Sequence, residues 1–271
     1  MDELNDVKHQ VAIANRVLPK LGLASGVLSS IGHASMRLPS QPDRFVVKGR
    51  GYAVDALAAV QPDDMVVCDT DGYVVEAPPG ISQCQEVKMH SCIYKTHPDV
   101  QSVVHVHPRF AVIMSVVAAA LVPVCIEGAR FVRTPLPVFP RPRLILSDED
   151  GMEVARLLGS SKAILLRGHG TATVGSTLEE AVMTVAALEE QAKMNWYARL
   201  AGGPDHGRLS DEEIDEYVEA YLHIPELPHL MESIAQQAGP RSKLPTGQAG
   251  GAWALYSQLA AQEMEQGLSP A

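Results

Sequence analysis

Apolar residues recur at Val7, Val11, Ala14, Val17 or Leu18, and Leu21, the spacing of a helix with one buried stripe beneath a charged face. A helix over residues 2–23 is predicted, with Gly22 marking its end. The period then changes. Between residues 26 and 39, glycines, serines and alternating side chains predict a loop feeding a strand, on which His33, Ser35 and Arg37 share one face. Phe45-Val46-Val47 reads as an apolar strand running into Lys48-Gly49-Arg50-Gly51, a glycine loop with two cations. Asp71-Gly72 between two apolar runs predicts a hairpin over residues 65–76. After the break at Pro78-Pro79-Gly80, helical spacing over residues 85–94 places Glu86 one turn before His90 on the same face.

Val103-Val104-His105-Val106-His107-Pro108 reads as a strand whose period of two throws both histidines to one side. The apolar run 111–122 is too short to span a bilayer and predicts a buried helix ending before Pro123. Residues 133–143 hold four prolines and no helical period, an extended loop with Arg130, Arg133, Arg141 and Arg143 around it. Ser147 with Asp150 opens a helix to about residue 158, and a short strand then ends at His169, held between two glycines. Residues 171–174 are its partner strand. Ser176 with Glu179 is read as a capping box for a long helix stopping at Gly202-Gly203, and Ser210 with Glu213 opens another. Residues 239–251 turn to Gly, Pro, Ser and Gln, a linker before an apolar-faced helix at 252–266. The chain therefore divides into a domain at 1–238 and a tail at 239–271, whose helix, carrying Trp253 and Tyr256, is expected to pack on a neighbouring subunit.

With 271 residues and 46% hydrophobic composition, the chain can build one large core. A net charge of -10 and a pI near 5.4 argue against nucleic acid and anionic membranes as partners, and favour a small-molecule substrate. No basic and apolar leader opens the sequence, which points to the cytoplasm. Four cysteines without a CxxC pair form no disulfide framework and are expected to be reduced.

Two imidazoles side by side on a strand can share a metal ion, and a third at another strand end leaves a coordination position open. His105, His107 and His169 fit that description. Glu86 is the best-placed carboxylate for acid/base work, while Lys48 and Arg50 in their glycine loop can hold a carboxylate or phosphate.

Gln85-Glu86-xxx-His90, Tyr94, Pro98-Asp99-Val100, His105-Val106-His107 and Leu166-Arg167-Gly168-His169-Gly170 together resemble the class II aldolase/adducin family, over residues 7–202. The resemblance implies an α/β fold, a three-layer α/β/α domain with a mostly antiparallel central sheet, commonly assembled as a tetramer with sites at subunit interfaces. By position it implies His105, His107 and His169 as ligands of one divalent ion per chain (zinc, manganese or iron). Glu86 becomes the acid/base, and also touches the metal when no substrate is bound.

Departures narrow the substrate. Sugar-phosphate aldolases of the family carry Gly-Asn-x-Ser, a Thr-Gly loop and paired serines before the glutamate. This chain has Gly32-His33-Ala34-Ser35, Lys48-Gly49-Arg50-Gly51 and Cys84-Gln85, so most of the phosphate cradle is gone. Its Gly-His-x-Ser-x-Arg loop is similar to a branch holding decarboxylases of aromatic hydroxy-carboxylates and prenylated 4-hydroxyphenylpyruvate oxygenases. What this implies first is a metal-dependent lyase, a decarboxylase of an aromatic hydroxy-carboxylate or oxo acid. Glu86 and His33 are then catalytic, and Ser35, Arg37, Lys48 and Arg50 bind the carboxylate. Alternatives are an Fe(II) oxygenase on a 2-oxo acid, an aldolase on a small hydroxy-carbonyl compound and, last, a non-enzymatic adducin-like scaffold.

Overall fold

A computed structural model of the chain describes residues 2–51, 54–117, 119–237 and 250–267. Asp2 accepts a hydrogen bond from the Asn5 N–H and so caps α1 (Glu3–Lys20), whose buried stripe is the one the spacing predicted. The strands β1 (His33–Leu38), β2 (Gln41–Arg50), β3 (Met65–Asp69), β4 (Val74–Glu76) and β5 (Ser82–Gln83) follow. Gly72, at φ +83°, makes the hairpin turn between β3 and β4. Next come α2 (Val87–Thr96), β6 (Ser102–Val106), α3 (Arg109–Val116), β7 (Val138–Phe139), α4 (Asp148–Leu158), β8 (Ala163–Leu166) and β9 (Gly170–Gly175). The chain ends in α5 (Leu178–Gly202), α6 (Asp211–Leu222), α7 (Pro228–Gln237) and α8 (Gly250–Glu265).

The sheet runs β4-β3-β2-β1-β6-β9-β8-β7, with β5 against β2. Among the described residues every pairing is antiparallel except β7 with β8. Alternation along the strands divides the core. Ala34, Val46, Met65, Val67, Val104 and Val106 face α1 and α5, while Phe45, Val47, Val66, Val103, Ala172 and Val174 face α2 and α4. A smaller cluster joins α3 to Leu188 and Ala192 of α5. Helices thus cover both faces of a mostly antiparallel sheet, the three layers expected.

Two local expectations change, and two further segments make contacts that the sequence did not predict. The apolar run 111–122 is helical only to Val116, and both polar groups of the Val122 backbone instead pair with the Asn195 side-chain amide on α5. That amide replaces the bonds another helical turn would have made. The cap of α5 is Thr177, whose hydroxyl accepts from the Glu180 N–H, one residue past the Ser176–Glu179 pair read from the sequence. The proline-rich loop is tied down: Arg133 pairs with Asp211 and Asp215 of α6, Arg141 with Glu153 and Arg143 with Asp150 of α4. Finally, α8 packs on its own chain's α1: Ala260 and Met264 are buried there, Trp253 and Tyr256 pack beside them, and Lys20 Nζ is 2.5 Å from Glu263. The linker expected at 239–251 falls, up to residue 249, outside the described residues.

Removing the α5 cap should cost about 1 kcal/mol. In urea titrations Thr177→Ala is expected to lower the unfolding free energy by that amount, with Ser176→Ala costing only a fraction of it; the reverse ranking would restore Ser176 as the cap.

Candidate active site

The end of β6 faces α2, and antiparallel pairing sets His105 of β6 directly opposite His33 of β1 and Ala172 of β9. His105 Nδ1 donates to the Thr171 carbonyl at 2.9 Å, which fixes the tautomer and turns a bare Nε2 inward. His107 follows one residue beyond the strand, and its Nε2 is 3.0 Å from that of His105. After β8 the turn at Gly168, φ +65°, swings His169 into the same space. Glu86 is the residue before α2 rather than part of its first turn. Its Oε1 accepts from the Ile145 N–H at 2.9 Å, and its Oε2 is 3.4 Å from Nε2 of both His105 and His169.

The donor atoms of Glu86, His105, His107 and His169 all lie within 4.8 Å of one another. Neither ring nitrogen of His169 has a hydrogen-bond partner among the described residues, although both are enclosed. Orphaned imidazole nitrogens facing a carboxylate and two further imidazoles are the donor set of a divalent cation, so the residues fit a metal. Gly170 permits this convergence. A Cβ there would sit 2.5 Å from the Val106 carbonyl oxygen and 2.8 Å from His107 Cδ2.

Burial shapes the electrostatics. It would raise the Glu86 carboxyl, but the charges and contacts of His105 and His169 outweigh it and hold Glu86 well below the usual carboxylate range. Burial, with His105, pulls His90 down to about 3; burial, with His105 and His169, pulls His107 down to about 3. His33 is pulled well below the usual imidazole range by burial, His90 and His105. These rings are neutral at neutral pH, the form that ligates.

A cavity of about 370 Å³ opens on the cluster, lined by His33, Arg50, Glu86, His105, His107 and Leu144 among others. A second opening on the far side meets His107 and His169 beside Leu28, Arg109, Val112 and Ile113. Of His33, expected to be catalytic, and the four residues expected to bind the carboxylate, His33 and Arg50 reach the cavity. The other three serve the scaffold. Ser35 is fully buried between His90 and Tyr94. The Arg37 guanidinium is taken up by the Pro42, Tyr94, His97 and Val100 carbonyls, a cation at the C-terminal end of α2. Lys48 is 1% exposed, with its Nζ 2.5 Å from Asp55 Oδ1; the same carboxylate holds Arg50 through Oδ2 at 2.9 Å.

Sequence reasoning assigned no role to His90 or to Asp55. The signal for His90 was present: Glu86, His90 and Tyr94 repeat every fourth residue and lay polar groups along one side of α2, toward β1. His33, Cys84 and His90 also bring three donor atoms together. They are not a metal site, since both His90 nitrogens are engaged by His33 and Ser35 at 2.7 and 2.6 Å and burial pushes the Cys84 thiol up.

The model of the Class II Aldolase and Adducin N-terminal domain matches residues 9–196. The chain belongs to the class II aldolase/adducin family. A relative in that family, 3,4-dihydroxyphthalate decarboxylase of Arthrobacter keyseri, is 30% identical over 203 residues, covering 72% of this chain and 80% of its own. A second, the 4-hydroxy-3-prenylphenylpyruvate oxygenase/4-hydroxy-3-prenylbenzoate synthase of Streptomyces roseochromogenus subsp. oscitans, is 26% identical over 73% of this chain and 70% of its own. The class II aldolase fold is also that of L-fuculose 1-phosphate aldolase from Glaciozyma antarctica PI12, with a TM-score of 0.71 at 20% identity over 99% of this chain and 93% of that one. Both relatives fall in the branch that the Gly32-His33-Ala34-Ser35 loop indicated, and the family reading is that of a lyase. Among the described residues no helix is long and apolar enough to cross a membrane.

Two measurements test this geometry. Gly170→Ala displaces two of the histidines and is expected to weaken metal binding about 10–100-fold in a competition titration, as loss of outer-shell support does. Unfolded imidazoles titrate near 6.5, so between there and about 3 the unfolded chain binds more protons than the folded one. Stability of the metal-free protein is therefore full above about 6.5 and is lost as the pH falls through that window; a thermal midpoint flat across it would show that these histidines are not buried neutral.

Proposed function

We propose that this protein is a metal-dependent decarboxylase of an aromatic hydroxy-carboxylate, with one divalent ion held by His105, His107 and His169 and with Glu86 as its acid/base. The observation that carries the reading is the convergence of three imidazoles and one carboxylate on a cavity of about 370 Å³, the size for a small aromatic acid, in a chain 30% identical to a decarboxylase. When bound, the ion supplies Lewis acidity to substrate oxygens next to the bond that breaks.

The residues themselves provide the rest. Glu86 is anchored through Oε1, with Oε2 turned toward His105 and His169 at the cavity, and in the free protein it is held ionised. An ionised carboxylate accepts the proton of a substrate hydroxyl. The C–COO⁻ bond then breaks, CO₂ departs, the electron pair stays on the ring carbon, and Glu86 returns the same proton to that carbon. Proton and charge balance without an outside donor. Arg50 at the rim attracts the carboxylate: with Lys48 and Asp55 it forms a group of two cations and one anion. His33 offers a ring nitrogen to the cavity wall beside it.

The oxygenase relative favours a second reading, the same ligands holding iron for a 2-oxo acid. We infer a homo-oligomer as well, because Val116 and Val117 stand exposed at the end of α3, next to the loop that carries His169.

Elemental analysis of protein purified without added metal, alongside His107→Ala, is expected to give about one ion per chain, lost in the variant. With 3,4-dihydroxyphthalate, Glu86→Gln should keep the metal and lose turnover by about 100-fold or more. Near-normal turnover would remove Glu86 from the chemistry, and iron together with stoichiometric oxygen uptake would replace the decarboxylase by the oxygenase.

A further inference from the structure

A line of buried hydrogen bonds runs from the cavity wall into the core. His33 Nδ1 is 2.7 Å from His90 Nε2, His90 Nδ1 is 2.6 Å from Ser35 Oγ, and Ser35 Oγ is 2.8 Å from the Tyr94 hydroxyl. All four side chains are buried, and the phenol at the inner end is 2% exposed. His33 Nε2 is the ring nitrogen this line leaves over, on a residue that lines the cavity beside Glu86 and His105.

Each link carries one proton, and an ordering in which Ser35 accepts from both neighbours would leave its own hydroxyl proton without an acceptor among the described residues, so two orderings remain. In the first, Tyr94 donates to Ser35, Ser35 to His90 Nδ1, and His90 Nε2–H to His33 Nδ1, which leaves His33 with its proton on Nε2. In the second, every proton points the other way and the Tyr94 O–H must find an acceptor beyond Ser35. Among the described residues Ser35 Oγ is the acceptor within reach of that hydroxyl. The second ordering strands a donor in the core, where an unmade hydrogen bond is costly.

We propose that Tyr94 is a positioning residue which, through Ser35 and His90, fixes His33 as an Nε2–H donor into the cavity, so that His33 grips an anionic oxygen of the substrate and supplies no net proton. The second half follows from the inner end of the line. If His33 gave up its Nε2 proton, each link would shift by one and the deficit would land on Tyr94 as a buried phenolate. Burial pushes that phenol up, against such a step. His33 is thereby a fixed clamp, and Glu86 remains the proton carrier.

This inference rests on the decarboxylase reading for the identity of the anion, but the tautomer itself is measurable without any substrate. In long-range ¹⁵N–¹H spectra of the zinc-loaded protein labelled in histidine, His33 is expected as one neutral species protonated at Nε2. Tyr94→Phe keeps the ring in the core and removes the donor; it should turn His33 into a mixture of tautomers with metal content unchanged. KM for 3,4-dihydroxyphthalate should rise about tenfold while kcat changes by less than about twofold, the pattern of lost uniform binding. Ser35→Ala cuts the same line in its middle and should give the same spectrum, which covers the case of a Tyr94 variant that does not fold. His33 protonated at Nδ1 in the wild type, or a pure Nε2–H species in a folded Tyr94→Phe, would overturn the proposal. Wild-type protein with the expected tautomer but no CO₂ release would uphold the positioning role and reject the decarboxylase.

Discussion

The hydrogen bond from His105 to the Thr171 carbonyl is the contact on which the site depends. It exists because β6 and β9 pair in one register, with His105 opposite Ala172, and a slip of β6 by one residue would turn His105 to the other face of the sheet, away from His33. The pairing is therefore coupled to chemistry as well as to packing. It holds one ligand by its tautomer, brings the β8–β9 turn with His169 alongside, and leaves Gly170 as the close-approach point where no side chain fits.

Around that contact the protein gathers buried imidazoles, a costly arrangement unless each nitrogen has a partner or a cation. His105, His33 and His90 have partners within the fold. Among the described residues neither nitrogen of His169 has a hydrogen bond, and Glu86 Oε2 faces its Nε2 from 3.4 Å. The same logic extends outward: the Glu189 carboxylate of α5 accepts from the Phe110 and Ala111 N–H groups, so the turn leaving His107 is fastened to a second helix.

The capped helices α4 and α6 and the four converging side chains were legible in local periodicity and short motifs, whereas the layers and the antiparallel sheet were legible only through the family that those motifs resemble. What was not legible depends on distant partners. Arg37 and Lys48 look like substrate cations until the fold supplies four carbonyls to one and Asp55 to the other. The helix at 111–122 stops early because of an amide on α5, 73 residues away, and a buried histidine becomes part of a polar line only when β1 is laid against α2. Tertiary hydrogen bonding decided each of these, and no window of sequence contains it.

Asp55 has one further consequence. It occupies the anion-binding side of Arg50 before any substrate arrives, so a carboxylate entering the cavity exchanges places with a resident carboxylate instead of meeting a bare cation. The resident is tethered five residues away and enjoys the effective concentration of an intramolecular partner. A simple monocarboxylate competes poorly against it. An acid that brings a second point of attachment, such as a neighbouring hydroxyl or a second carboxylate, gains the margin it needs, and in this way an internal ion pair filters for bidentate guests.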